Sequence, residues 1–364
     1  MNNNELKQKV YLAMSGGVDS SVAAYLLQQQ GFDVTGVYMK NWSEESFVGD
    51  FKPHCPWKRD VKDVRAVCKL LGIPMKVYNF EKEYNTQVID YFFAGEKKGL
   101  TPNPDIVCNR KVKFGLFLNR SLKDGAELIA TGHYAKIRRK YNVSRIRYEL
   151  HGAKDRKKDQ TYFLCQLTQS QLSKTIFPLG KLTKLEVREI AKKLNLPTAE
   201  KQESMGICFV GEVDFVKFLK SRIKETPGSI VTPEGKIVGE HIGLPFYTIG
   251  QRKGIGFAGG VPYYVVEKNQ KKNELVVAPG EHNPLLYEKI VEIKQISWQS
   301  GSSLRLPIAM KAQIRYRQVP QPATLRKVRG KLIVEFKSKQ RAVTPGQFCA
   351  FYKNSVLLGC GVIV

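Results

Sequence analysis

Apolar residues in the first part of the chain come in short unbroken runs, at Val10–Ala13, Val34–Met39, Met75–Phe80 and Leu128–Thr131. Between them, at Ser20–Gln30, Trp57–Gly72, Glu81–Ala94 and Cys108–Ser121, apolar positions recur at helical spacing. An unbroken run suits a strand buried on both faces, and its alternation with amphipathic helices predicts a parallel sheet covered on both sides. Helical spacing returns at Tyr162–Lys174 and Leu185–Leu194. Between these stretches, Lys136–Gly152 reads as an inserted basic hairpin turning at Asn142–Val143, with Arg138, Arg139, Lys140, Arg145 and Arg147 crowded around the turn. From Gly228 the texture changes to short β-type runs cut by Gly and Pro: Ile230–Val231, Lys236–Val238, Tyr263–Glu267, Leu275–Val277, Ile290–Ile296, Ile308–Arg317, Leu332–Phe336, Phe348–Tyr352 and Val356–Val364. Many short strands at regular intervals predict antiparallel sheets or a small barrel. The expected organisation is an α/β domain over residues 1–209, a β-rich central domain over 210–283 and a C-terminal β-barrel over 284–364. Two or three domains also suit a chain of 364 residues.

Charge adds a partner class. The chain carries 59 Lys and Arg against 33 Asp and Glu, a formal charge of +26, which favours a polyanionic partner unless it only solvates the surface. Nucleic acid suits it better than a membrane, because no apolar run approaches the ~18 residues that span a bilayer. The opening Met-Asn-Asn-Asn-Glu lacks the basic-then-apolar pattern of a signal peptide, so the expectation is a cytoplasmic protein. Seven scattered cysteines without a C-x-x-C pair read as cytosolic thiols rather than a disulfide framework or a zinc site.

Candidate chemistry starts at Met14-Ser-Gly-Gly-Val-Asp-Ser-Ser21, a glycine loop between the first apolar run and the first amphipathic stretch. Backbone N–H groups of such a loop and of the following helix N-terminus can hold polyanionic oxygens, with Ser15, Ser20 and Ser21 as extra donors. The loop lacks both the G-x-x-x-x-G-K-[ST] and the G-x-G-x-x-G spacing, which argues against a Walker NTPase and a dinucleotide site. S-G-G-x-D-S-S resembles instead the pyrophosphate loop of the N-type ATP pyrophosphatases, which have an adenine nucleotide alpha hydrolase-like fold and split ATP into AMP and pyrophosphate. A serine-capped helix after a Gly-Gly turn is the plain alternative.

Two cysteines stand in unusual settings. Thr101-Pro-Asn-Pro-Asp-Ile-Val-Cys108 joins prolines, a carboxylate and a thiol ahead of a helical stretch, where the helix dipole, Arg110 and Lys111 would favour a thiolate, a structural cysteine being the equal alternative. Asp105 would act as an acid or base there, or cap the helix. Cys208 sits in the glycine-flanked Gly206-Ile-Cys-Phe, where burial as a small hydrophobe is the competing reading.

These segments, with Val37-Tyr-Met-Lys-Asn-Trp42, Asn103-Pro-Asp-Ile-Val-Cys-Asn109, Ala130-Thr-Gly-His-Tyr-Ala135, Lys158-Asp-Gln-Thr-Tyr-Phe-Leu164, Tyr247-Thr-Ile-Gly-Gln-Arg-Lys-Gly254, Arg315-Tyr-Arg317 and Thr344-Pro-Gly-Gln347, occur in order along nearly the whole chain. In this it resembles the bacterial tRNA-specific 2-thiouridylases, which thiolate the wobble uridine of tRNA. The resemblance implies an ATP site at Ala13, Met14, Ser15, Gly16, Gly17, Val18, Asp19, Ser20, Met39 and Gly132. It implies a target-base segment at Asn103, Pro104 and Asp105, Cys108 as nucleophile and Cys208 as persulfide carrier, the two forming a transient disulfide. Further tRNA contacts would come from His133, Lys158, Asp159, Gln160, Arg315, Tyr316 and Gln347. ATP with Mg²⁺ is the implied co-substrate, with no tightly bound metal; tRNA of the Lys, Glu or Gln type is the implied substrate. A cysteine desulfurase or sulfur-relay protein would be the donor. Rival readings are another ATP pyrophosphatase, such as a 4-thiouridine or lysidine synthetase, and a non-catalytic RNA-binding protein.

Overall fold

The computed structural model describes residues 7–43, 57–142, 145–202, 214–255 and 260–364. Cys208, in the 203–213 stretch, and Val143 of the hairpin turn lie outside the described residues.

The four apolar runs form strands β1 (Lys9–Met14), β2 (Asp33–Lys40), β3 (Met75–Asn79) and β4 (Leu128–Thr131). The basic segment is the antiparallel hairpin β5 (Ala135–Asn142) and β6 (Arg145–Gly152). A fifth sheet strand, β7 (Thr175–Ile176), is too short to have left a pattern in the sequence. All neighbours in the order β3-β2-β1-β4-β7 run parallel. Alternation within β1 divides the interior: Val10, Leu12 and Met14 face a core shared with the helices Val18–Gln29 and Lys184–Lys193. Tyr11 and the β2 residues Val37 and Met39 face a second core, shared with the helical runs 81–97 and 104–123. Each fully buried Val or Leu adds about 1.5–3 kcal/mol, so this two-sided burial fixes the register of the central strands.

The chain then builds β8 (Gly228–Val231), β9 (Ile237–His241), β10 (Tyr263–Asn269) and β11 (Glu274–Pro279), a four-stranded sheet in the order β10-β11-β8-β9. Next come β12 (Tyr287–Trp298), β13 (Ile308–Gln313), β14 (Gln321–Val328), β15 (Lys331–Arg341), β16 (Phe348–Lys353) and β17 (Val356–Ile363). Their order is β12-β15-β14-β13-β16-β17, and the β12–β17 pairing closes a six-stranded barrel around Val291, Leu325, Val334, Phe336 and Phe351. The basic hairpin is annexed to this sheet through the pair Val356↔His151.

Other details also differ from the sequence reading, among them the expected helical stretch Tyr162–Lys174, which is a single turn at Thr161–Leu164 and a short helix at Gln169–Ser173. β14 went unrecognised because only Ala323 and Leu325 of its eight residues are buried and Pro322 is its second residue. The expected strand over Ile308–Arg317 ends at Gln313, and Arg317 turns the chain with φ +65°.

Candidate active site

In an open parallel sheet, ligands bind beyond the carboxyl ends of the strands, where the strand order reverses direction. Here that crevice lies between β1 and β4, and β1 runs straight into the glycine loop. Gly16 has φ +75°, and a Cβ on it would sit 2.8 Å from the backbone oxygen of Asp60, so both conformation and space demand glycine. Gly17 caps the Val18–Gln29 helix without a side-chain bond to its first N–H groups. The Ser20 and Ser21 hydroxyls both donate to the Gly17 carbonyl at 3.0 Å, and Ser20 Oγ accepts from the Ser15 N–H at 3.3 Å. The loop is thus braced from within, with uncapped helix donors at its end. Across the crevice, Gly132 follows β4 so closely that a Cβ would lie 3.1 Å from the Ser20 nitrogen.

Asp19 is held by partners that the sequence reading missed. Lys184 Nζ donates to both of its carboxylate oxygens, at 2.7 and 2.8 Å, and the Tyr134 hydroxyl donates to Oδ1 at 2.7 Å. Lys184 is only 8% exposed, an unusual burial for lysine and invisible in a helix that otherwise reads as amphipathic. Met39 lies one residue beyond the last β1–β2 pair, Met14↔Tyr38, at the same end of the sheet. Asn41, next after β2, is 2% exposed, and its amide oxygen and nitrogen make no bond among the described residues. Buried amides are normally bonded, so this one suits a polar occupant. Lys201 Nζ binds Asp60 at 2.7 Å and Asp63 at 2.5 Å, tying the chain that leads toward Cys208 to the helix beside Gly16.

The second group of expected residues gathers around the start of the 104–123 helical run. Asn103 caps it, its Oδ1 accepting from the Ile106 N–H at 3.1 Å, with Pro104 in the first turn. The run starts four residues earlier than expected, so Cys108 stands in the second turn, wholly buried, while Arg110 and Lys111 are exposed. Asp105 and Cys108, three residues apart, share one face of the helix. Gln347, from the far end of the chain, accepts from Asn103 Nδ2 at 3.2 Å and donates to the Thr101 carbonyl at 2.8 Å. Gly346 makes this approach possible: at φ +92°, its Cβ would lie 2.9 Å from the Thr101 nitrogen. Asn103, Pro104, Asp105 and Gln347 line one cleft of about 280 Å³, joined by Phe92, Glu96, Thr101, Pro102 and Phe215.

A third group meets at the barrel wall. Asp159 accepts from the Ala153 and Thr161 N–H groups at 2.9 Å, and Gln160 Oε1 accepts from the Tyr134 N–H at 2.9 Å, so both side chains brace their own loop. Lys158 and Asp159 lie in the field of Tyr316, whose ring is 4.3 Å from that of Phe163. The exposed Arg315 donates to the Ala342 carbonyl at 2.8 Å. His133 is 8% exposed, packed between Phe114 and Phe177 and bonded to Thr131 Oγ1 at 2.7 Å. Burial, with a smaller contribution from Lys113, pushes its pKa well below the usual histidine range.

Three family models match in succession: a tRNA methyl transferase HUP domain over residues 8–212, a tRNA methyl transferase PRC-barrel domain over 216–279, and an aminomethyltransferase beta-barrel domain over 288–363. The tRNA-specific 2-thiouridylase MnmA 1 of Geobacillus kaustophilus (strain HTA426) is 47% identical over 98% of this chain and 95% of its own. The chain belongs to the tRNA-specific 2-thiouridylase family. Members from Legionella pneumophila (strain Paris) and Methylobacillus flagellatus are 46% and 44% identical, each over 98% of this chain and 99% of their own. The family is one of tRNA sulfurtransferases, and the fold has the layout those matches imply: parallel sheet, small β domain, closed barrel. Two solved structures share a distant likeness. NMN synthetase from Francisella tularensis aligns over 55% of this chain and 68% of that one, at 16% identity and a TM-score of 0.34. A 4-thiouridine synthetase–RNA complex with bound ATP aligns over 58% and 50%, at 16% identity and a TM-score of 0.34. Among the described residues no group of three or more His, Cys, Asp or Glu side chains is placed to hold a metal ion, and no helix is long and apolar enough to cross a membrane.

Proposed function

We propose that this chain uses ATP to replace the C2 oxygen of the wobble uridine of a Lys-, Glu- or Gln-type tRNA by sulfur. A uracil carbonyl oxygen is a poor leaving group. Attack of O2 on the α-phosphate of ATP makes it an adenylate and releases pyrophosphate, for which Gly16, Gly17 and the uncapped donors of the Val18–Gln29 helix form the cradle. Met39, Gly132 and the buried Asn41 amide stand where the nucleoside would lie. ATP is expected as its Mg²⁺ complex, the metal supplying charge neutralisation.

The observation that carries the reading is the cleft. Asn103, Pro104 and Asp105 line it beside Gln347, so a base flipped from the anticodon would meet an acid–base group there, with the buried Cys108 one helical turn further along the same short helix. Sulfur arrives as a persulfide on Cys208 from a desulfurase or relay protein. The Cys108 thiolate attacks the inner sulfur, a Cys108–Cys208 disulfide forms, hydrosulfide leaves and displaces AMP from C2, and an external thiol reduces the disulfide. Lys158, Arg315 and Tyr316, converging at the barrel wall, would hold the RNA strand. Residues 1–209, 210–283 and 284–364 would act as catalytic, central and barrel domains. The test is Cys108→Ala and Cys208→Ala, each expected to abolish 2-thiouridine formation while ATP binding persists. Product from either variant with persulfide supplied would remove that cysteine from the mechanism.

A further inference from the structure

The cleft that holds Asp105 contains a second carboxyl, Glu96, which the reaction above leaves unused. The Asp90–Lys97 helix delivers Phe92 and Glu96 to the cleft four residues apart, on one face. Phe215 comes in from beyond the first domain, its ring centroid 6.1 Å from that of Phe92. Glu96 is 2% exposed, yet its side-chain oxygens accept and donate no hydrogen bond among the described residues. Lys268 of β10 faces it electrostatically from the central sheet, while its ammonium donates to the Tyr247 carbonyl at 2.9 Å. A carboxyl that makes no hydrogen bond among the described residues and lines an open cleft beside aromatic rings is placed to bond an occupant.

We propose that the Glu96 carboxyl binds the Watson–Crick edge of the pyrimidine held in this cleft, accepting from N3–H and donating to O4 of a uracil. The inference rests on the reading of the cleft as the base site. Donation to O4 needs a protonated carboxyl. Burial raises the Glu96 pKa above the usual carboxylate range against the pull of Lys268, which favours the protonated acid. A carboxylic acid then offers an acceptor and a donor side by side, and uracil presents the complementary pair. The C2 oxygen, on the other side of N3, stays free to react. Phe92 and Phe215 supply apolar surface for the ring, as in single-stranded RNA sites.

The experiment measures binding of anticodon stem-loops carrying either uridine or the 2-pyridone ribonucleoside at position 34. The pyridone keeps the C2 carbonyl and lacks both N3–H and O4. Wild-type protein should prefer uridine roughly tenfold, the scale of one paired base edge. Glu96→Leu should lose that preference by weakening uridine binding alone, and Glu96→Gln, whose amide restores a donor and an acceptor, should recover it. If Glu96→Leu weakens both ligands equally, or neither, the inference is wrong. Should the leucine variant fail to fold, a glutamine variant without uridine preference overturns it as well. Wild-type protein that forms no 2-thiouridine in parallel would refute the proposed activity, a failure read separately from the binding preference.

Discussion

Replacing Lys184 by methionine takes one positive charge from the crevice beside the glycine loop and leaves Asp19 with the Tyr134 hydroxyl as its one remaining partner among those described above. The lysine bonds both carboxylate oxygens within 2.8 Å, and the two side chains are 11% and 33% exposed. Exposed pairs contribute about 0.2–1 kcal/mol, whereas stripping one partner from a buried pair costs about 3–5 kcal/mol. A lysine almost fully covered and a carboxylate two-thirds covered put Lys184→Met at about 2–3 kcal/mol. Asp19→Asn should cost less, since an amide oxygen still accepts from Tyr134. Urea denaturation of both single variants and the double variant gives the coupling energy, expected at about 1–2 kcal/mol. ATP binding should fall further than stability, because an uncompensated carboxylate then faces the incoming polyphosphate; the KM for ATP should rise about tenfold or more. Additive single effects, or an unchanged KM for ATP in Lys184→Met, would refute the view that the lysine neutralises and aims Asp19 at the nucleotide.

Gly16→Ala meets a positive φ and the Asp60 carbonyl, so it should lose about 1–3 kcal/mol of stability and most ATP binding. At Gly17 a Cβ meets only Ser15 Oγ, at 3.5 Å, and φ is −96°, so Gly17→Ala should cost under about 1 kcal/mol; equal losses at the two sites, by calorimetry, would contradict the geometry. His133 is held neutral in the fold, while in the unfolded chain it protonates as pH falls below about 6.5. The unfolded state then binds more protons, so stability should drop with falling pH by up to about 1.4 kcal/mol per unit, and His133→Asn should flatten that part of the profile between pH 6.5 and 5. An unchanged slope in the variant would place the acid sensitivity elsewhere.

The parallel sheet was legible because β1, β2 and β4 are apolar runs buried on two faces, and the glycine loop was legible because turn, strand and helix cues coincide there. β14 and β7 were not, since one buries two side chains and the other has two residues. The extra turn that places Cys108 inside the helix was hidden by Pro104, which reads as a breaker but occupies the first turn, where proline is tolerated. Lys184 and Tyr134 escaped for a common reason: each owes its role to a partner far along the chain, as Lys184 does to Asp19, 165 residues away. Sequence spacing carries local periodicity, not the meeting of remote segments. The contact between Gln347 and Asn103, 244 residues apart, is the clearest case, for both were expected at the tRNA and neither pattern hinted that they touch.

The central claim is that ATP is cut at its α-phosphate to make a uridine oxygen replaceable by sulfur. Its most direct test is reconstituted thiolation with ATP, a persulfide donor, and tRNA carrying either U34 or C34, following 2-thiouridine, AMP and pyrophosphate together. The account predicts one AMP and one pyrophosphate per 2-thiouridine with U34, and no 2-thiouridine with C34. ADP in place of AMP, or 2-thiouridine formed without ATP, would contradict it.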